Sequence, residues 1–256
     1  MVPMRNVDIL TSISKGAVAH ARTFVLVHGG FHGGWCWSQV AARLRAHGHT
    51  VFTPTQTGCG ERSHLLSPSI TLDTFVDDIA NVFIWEDLHE VVLLGHSFGG
   101  SAVSGVADRM PERIRQLVYL DAMILENGQT MFGQLDREVV QARLKAAEAN
   151  GGLAIAPPPA SAFGIRDAEQ LRFVERHLTS HPLGTYTSPL KLASKVGNGL
   201  PAVYVQCTDP FFAGLQASRD WVKAHGMKLV EIATGHDAMV TAPDLLAGLL
   251  EQLSLS

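Results

Sequence analysis

Val91-Val-Leu-Leu-Gly-His-Ser-Phe-Gly-Gly100 runs from an unbroken apolar tetrapeptide through a serine flanked by glycines, and leads into the small residues Ser101-Ala-Val-Ser-Gly-Val-Ala107. Four consecutive apolar residues read as a strand buried on both faces, as strands of parallel sheets are. The small-residue run reads as a helix packed closely on that sheet. With 24 Gly in 256 residues, a Gly-x-Ser-x-Gly pentapeptide arises by chance in about one such chain in seven. Its setting between strand and helix is what makes it specific. A serine on so sharp a turn is held in a strained backbone conformation, and glycines two residues to either side relieve the crowding and lift the hydroxyl clear. Ser97 is therefore expected at the carboxyl edge of a sheet, where open α/β folds bind ligands, as a nucleophile.

The flanking sequence supplies the rest of that sheet. Phe24-Val-Leu-Val27 is a short apolar run ending at His28-Gly29-Gly30, and Val51-Phe52-Thr53 is another ending at Pro54. Between them, Trp37, Val40, Ala41 and Leu44 fall at helical spacing and Gly48 sits where a helix stops. Leu72 to Trp85 repeats the helical pattern with Phe75, Val76, Ile79, Val82 and Phe83. Further strands are expected at Leu117–Leu120, Ala202–Gln206 and Leu229–Ile232, each preceded by helical material. This alternation predicts a mostly parallel sheet covered by helices on both faces. One stretch departs from it. Residues 126–190 contain no convincing strand, carry Pro157-Pro158-Pro159, and are rich in helix formers from Arg137 to Ala149. They are expected to form a helical cap inserted into a single core made of residues 1–125 and 191–256.

Composition narrows the function. Twenty Lys and Arg against 24 Asp and Glu give a net charge of -4, so no basic face is available to release counterions from a phosphate backbone and nucleic-acid binding is disfavoured. Cys36, Cys59 and Cys207 are odd in number and far apart, which fits neither a disulfide framework nor a thiolate metal site. No run of about 18 apolar residues is available for a membrane span, and the first 23 residues lack the apolar segment of a secretion signal. The expectation is a cytoplasmic protein with no membrane partner. Oligomeric state is left open.

A nucleophilic serine needs a base, and Gly235-His236-Asp237 offers one just beyond the strand Leu229–Ile232. The helix after it is expected to open at Thr241-Ala-Pro-Asp244 with a capping box. His236 comes late in the chain, as the order Ser, acid, His requires. His47, His49, His89, His177, His181 and His225 lie in polar surroundings and are read as solvated, and His96 is expected to point away from the serine. Two acids follow strands, Asp121 and Asp209. The second is preferred because its strand is the last before the one leading to His236, and Asp121 is then a structural residue at the hinge to the cap. The acid fixes the histidine tautomer and stabilises the imidazolium. Oxyanion donors are expected at the backbone N–H groups of Phe98 and of Gly30, in the loop His28-Gly-Gly-Phe-His-Gly-Gly34. His28 and His32 lack a third ligand and are read as structural, so no metal and no organic cofactor is implied.

These residues resemble the α/β-hydrolase superfamily from Phe24 to the last helix. Val27-His-Gly-Gly-Phe-His-Gly-Gly-Trp-Cys-Trp37, Thr57-Gly-Cys-Gly-Glu-Arg-Ser-His64 and Gly95-His-Ser-Phe-Gly-Gly100 are similar to the bacterial carboxylesterases that include pyrethroid hydrolases, and to plant methyl esterases and hydroxynitrile lyases. The resemblance implies Asp209, in Cys207-Thr208-Asp209, as the acid, Gly30 as an oxyanion residue, and the insertion as a cap over the site. Similar lyases carry lysine after the histidine and threonine in the oxyanion loop; Asp237 and Gly29 stand there, which argues against cyanohydrin cleavage. Ser97 excludes a dehalogenase, which needs a carboxylate nucleophile. The expected activity is hydrolysis of small, largely apolar carboxylic esters through an acyl-enzyme, the alternatives being a lactone hydrolase or a small-molecule receptor on the same fold. Phe31, Met123, Met131, Phe132, Phe163, Phe211, Phe212 and Met239 are the candidate pocket residues.

Overall fold

A computed structural model describes residues 21–148 and 151–255. The expectation about a secretion signal rests on sequence of which residues 1–20 lie outside that range. In chain order the elements are β1 (Thr23–Val27), α1 (Ser38–Ala46), β2 (Thr50–Phe52), α2 (Leu72–Trp85), β3 (Val91–His96), α3 (Gly99–Arg109) and β4 (Ile114–Leu120). A segment between sheet strands then carries α4 (Arg137–Glu148), β5 (Ala154–Ile155), α5 (Ala168–His177), β6 (His181–Pro182) and α6 (Leu183–Thr187). The sheet resumes with β7 (Ala202–Cys207), followed by α7 (Gln216–Ala224), β8 (Lys228–Ile232), α8 (Ala238–Thr241) and α9 (Pro243–Ser254).

Six strands form one sheet in the order β2-β1-β3-β4-β7-β8, and every pairing is parallel. All six are the strands that the apolar runs predict. Alternate side chains enter the two cores because successive strand residues face opposite ways. Phe24, Leu26, Val92, Leu94 and Val118 pack with Val40 and Leu44 of α1 and Leu246 and Leu250 of α9. On the other face, Val25, Leu93, Leu117 and Tyr119 pack with Val76, Ile79 and Phe83 of α2, Val103 and Val106 of α3, and Val222 of α7. Full burial of each such side chain is worth about 1.5–3 kcal/mol.

The register sets the site. Val27 of β1 stands opposite Gly95 of β3, and His96 of β3 stands opposite Leu120 of β4. Three adjacent strands therefore end at one level, and the loops at His28–Gly30, Ser97 and Asp121 emerge side by side. Chain order diverges at the same place, β1 leading to β2 on one side while pairing with β3 on the other, which is where open α/β sheets form their crevice.

Two local expectations are corrected. The segment between β4 and β7 does contain strands, since β5 and β6 pair antiparallel with Ala154 opposite Pro182 and Ile155 opposite His181. Two residues each are too few to display a period. The Thr241–Asp244 capping box is not formed: α9 starts at Pro243 with Ala242 as its cap residue. The Thr241 hydroxyl bonds Thr234 at 2.6 Å and the Asp237 carbonyl at 3.0 Å, and Asp244 pairs with Arg43. Among the described residues, no helix is long and apolar enough to cross a membrane.

Candidate active site

Ser97 occupies the turn between β3 and α3 with φ of 50°, the left-handed region that costs a non-glycine residue about 1–3 kcal/mol. Packing enforces it. A β-carbon on Gly95 would lie 2.7 Å from the Gly99 carbonyl oxygen, and one on Gly99 would lie 2.6 Å from the His28 carbonyl oxygen. Only glycine lets α3 start this close to β1 and β3. The Ser97 N–H donates to the Leu120 carbonyl and the Met123 N–H to the Ser97 carbonyl, at 3.2 and 2.8 Å, so β4 and its following loop clamp the turn from the side.

His236 reaches the serine from the loop after β8. Its Nε2 lies 3.0 Å from Ser97 Oγ, and its Nδ1 lies 2.7 Å from Asp121 Oδ2. Asp121 is fully buried and has φ of 37°. Its other oxygen faces the buried guanidinium of Arg219 at 3.4 Å. Arg219 is fixed in turn by the Phe212 carbonyl at 2.6 Å and lies over the Phe211 ring at 3.8 Å. The expectation that Asp209 faces His236 is thereby corrected. Asp209 is a solvent-exposed residue at 62% and pairs with Arg166 at 2.9 Å. The reason is the register: Asp121 leaves the strand next to β3 at the level of Ser97, whereas Asp209 leaves β7 two residues past its end, towards solvent. The loop carrying His236 crosses β7 to reach the serine.

The loop after β1 is fixed by histidines. His28 Nδ1 donates to the Gly29 carbonyl at 2.8 Å and its Nε2 accepts the Gln56 N–H at 3.0 Å. That pattern is a neutral imidazole, and burial holds its pKa down at about 4. His32 differs. Its Nδ1 faces the Gly30 carbonyl at 2.8 Å and its Nε2 faces Asp237 Oδ2 at 2.9 Å. Both partners can only accept, so the ring carries both protons. Burial acts to lower the His32 pKa, and the adjacent Asp237 charge and hydrogen bonds outweigh it, raising the value above the ordinary one. Asp237 responds in the opposite sense: burial raises its carboxyl, and the charge of His32 prevails and lowers it. The structural reading of His28 and His32 matches these contacts, and among the described residues no group of three His, Cys, Asp or Glu side chains is arranged to hold a metal ion.

The N–H groups of Gly30 and Phe98 donate to no protein acceptor among the described residues. Both flank Ser97 at the start of α3, where the helix dipole favours negative charge. The neighbouring Phe31 N–H donates to His181 Nδ1 at 3.2 Å, and the Phe31 carbonyl accepts from Thr179 N–H at 2.9 Å. His181 is thus a buried neutral base holding the loop, and burial keeps its pKa well below the usual histidine value. The reading of His181 and His49 as solvated is corrected; His49 is buried and accepts the Arg22 N–H at 3.1 Å. His96 lies beneath the histidine loop, its Nε2 donating to the His236 carbonyl at 3.0 Å.

A cavity of about 220 Å³ opens over these groups. Ser97, His236, Gly30 and Phe98 line it, together with Phe31, Met123, Met131, Phe163 and Phe212 from the candidate pocket residues. Phe212 stacks on the His236 ring with centroids 4.1 Å apart. Three candidates fall outside: Phe211 is exposed and lies against Arg219, Met239 is buried in the core, and Phe132 stands behind Tyr186 with centroids 5.3 Å apart. Sequence reasoning missed Arg219, Arg143 and Tyr186. None belongs to a motif, and each is set in place by contacts between elements distant in the chain.

A parallel sheet with a strained serine at its carboxyl edge, hydrogen-bonded to a late histidine, defines a hydrolase of the α/β class. The alpha/beta hydrolase family model matches residues 24–249, and the chain belongs to that family. A carbendazim hydrolyzing esterase from Nocardioides sp. (strain SG-4G) is 38% identical over 245 residues, covering 90% of this chain and 98% of that protein. The chloroplastic putative methylesterase 11 of Arabidopsis thaliana is 36% identical over 108 residues, 42% of this chain and 28% of that protein. Among solved structures, an extracellular alpha/beta-hydrolase from a Paenibacillus species is 25% identical with a TM-score of 0.74, covering 90% and 98% of the two chains. A pyrethroid hydrolase from Sphingobium faniae JZ-2 shares the fold at 19% identity and a TM-score of 0.71, covering 92% and 98%. With the carbendazim hydrolyzing esterase matched at 38% identity over 98% of its length, the chain is a carboxylic ester hydrolase.

Proposed function

We propose that the chain is a serine esterase that cleaves small, largely apolar carboxylic esters by two-step acyl transfer, with Ser97 as nucleophile, His236 as general base and acid, and Asp121 as the acid of the triad. The observation that carries this reading is the continuous chain from Ser97 Oγ to His236 Nε2 at 3.0 Å and from His236 Nδ1 to Asp121 Oδ2 at 2.7 Å, at the floor of an apolar cavity. Asp121 accepts the Nδ1 proton, which leaves Nε2 free to take the serine proton. Ser97 Oγ then attacks the ester carbonyl, and the oxyanion is held by the N–H groups of Gly30 and Phe98, which donate to no acceptor among the described residues. His236 returns the proton to the leaving alcohol, and a water deprotonated by the same nitrogen hydrolyses the acyl-enzyme. These steps use no metal or organic cofactor.

The segment of residues 126–190 serves in this reading as a cap, since Met131, Phe163 and Tyr186 from it close the cavity and its Thr179 and His181 hold the oxyanion loop. The esterase relatives support ester-type carbonyls as the reacting group. A panel of esters and lactones graded in acyl and alcohol size tests the proposal, with Ser97→Ala as the control. Turnover of small esters that vanishes in Ser97→Ala, together with loss of organophosphonate labelling, is the expected result. Saturable ligand binding without turnover by the unaltered protein would overturn it in favour of a receptor.

A further inference from the structure

The cavity over Ser97 is apolar apart from the reacting groups and one fixed positive charge. Arg143, on α4, lines it with its guanidinium carbon 5.4 Å from the centroid of the Tyr186 ring. Among the described residues it pairs with no carboxylate, whereas Arg219 has Asp121 and the Phe212 carbonyl, and Arg166 has Asp209. The guanidinium rests on the Tyr186 ring and beside its hydroxyl, which are neutral partners, so its charge meets no internal anion at the cavity and a ligand anion is the complementary group.

Tyr186 fixes where that group would sit. The residue is almost fully buried, wedged against Phe98, Phe132 and His181 with ring centroids 5.1, 5.3 and 5.3 Å apart. Its hydroxyl is 3.4 Å from the position a β-carbon would take on Gly30. Burial raises the phenol pKa, and the Arg143 guanidinium beside it acts to lower it. The phenol therefore stays a proton donor, next to the oxyanion loop and next to the guanidinium. A planar guanidinium fork with a neighbouring O–H donor is the donor set that a carboxylate fits, two parallel N–H···O contacts giving orientation as well as affinity.

We propose that Arg143, held on Tyr186, is the specificity-determining residue of this site and binds a free carboxylate carried by the substrate, so that the preferred esters bear a carboxylate a few bonds from the scissile carbonyl. The inference rests on the esterase reading above and narrows its small, largely apolar esters to those that carry one carboxylate. Such a carboxylate can be on the acyl chain, as in a half-ester of a dicarboxylic acid, or on the alcohol, as in an acylated hydroxy acid. Both present the same group to Arg143, and in either case the hydrolysis products together carry one negative charge more than the substrate.

The test compares kcat/KM for matched pairs: monomethyl glutarate against methyl pentanoate for the acyl side, and 3-acetoxypropanoate against propyl acetate for the alcohol side. In the unaltered enzyme one of the two charged esters is expected to exceed its neutral partner by about tenfold or more, the size of a charge-assisted hydrogen bond. Arg143→Met should lower that ratio at least about tenfold, and Arg143→Lys, which keeps the charge without the fork, should leave it in between. Thermal melts of both variants show that α4 is still folded. If the unaltered enzyme prefers the neutral ester in both pairs, or if Arg143→Met leaves the ratio where it was, the carboxylate site is wrong. Failure of the esterase reading looks different: neither member of either pair would be turned over, or turnover would persist in Ser97→Ala.

Discussion

Replacing Asp121 by asparagine tests the site at its most buried contact. In the native arrangement Asp121 Oδ2 accepts the proton of His236 Nδ1 at 2.7 Å while Oδ1 faces Arg219 at 3.4 Å. An asparagine there has one oxygen and one NH₂. Arg219 is a donor and repels another donor, so the amide oxygen turns to Arg219 and the NH₂ turns to His236. Nδ1 must then accept, which places the ring proton on Nε2, facing Ser97. The base is in the wrong tautomer. Loss of this kind lowers kcat about 10⁴-fold, which at 1.36 kcal/mol per decade is about 5.4 kcal/mol of lost transition-state stabilisation. Asp209→Asn removes only one exposed ion pair with Arg166, worth about 0–1 kcal/mol in stability, and should change kcat by no more than about twofold. The assay is kcat on a chromogenic acetate ester for both variants, with circular dichroism to confirm that each is folded. Near-native turnover in Asp121→Asn, with a crippled Asp209→Asn, would refute the assignment and the tautomer argument together.

Ser97→Gly and Ser97→Ala should both abolish turnover, but glycine relieves the positive φ at that turn, so its melting temperature should be at least as high as that of Ser97→Ala; a lower value would mean the turn is not strained. Gly95→Ala should destabilise the chain by about 1–3 kcal/mol in a denaturant titration, because the added methyl meets the Gly99 carbonyl oxygen at 2.7 Å. The His32–Asp237 pair predicts a stability profile that falls on both sides. His32 has a raised pKa, so its contribution is complete below the ordinary histidine range and is lost as pH rises through the raised value. Asp237 has a lowered pKa, so its contribution is present above the ordinary carboxylate range and is lost as pH falls through the lowered value. Melting temperatures from pH 2 to 9 should therefore be flatter in Asp237→Asn than in the unaltered chain, and equal curvature in the two would show that the ion pair contributes nothing to stability.

How much of this was legible in the sequence follows from the range of the interactions involved. The sheet strands are written locally, because a strand buried on both faces must be apolar residue after residue, and Phe24–Val27, Val91–Leu94 and Leu117–Leu120 are. The serine turn is also local, since the glycines that permit it are two residues away on either side. His236 could be chosen by chain order and by its place after the last strand. The acid could not. Asp121 and Asp209 each follow an apolar strand by one or two residues, and nothing in their neighbours separates them. The choice between them is made by the β3–β4 register, which sets Leu120 opposite His96, and by Arg219, 98 residues away, which holds the far oxygen of the carboxylate. The same holds for His181. Its neighbours are polar, yet pairing of β5 with β6 buries it against Phe31. Arg143 and Tyr186 belong to no motif at all, and only the tertiary contact of the Arg143 guanidinium with the Tyr186 ring sets a charge at the cavity. Local pattern determines which residues form strands, turns and helices; which side chains then face one another is decided by register and by contacts between segments that the chain keeps far apart.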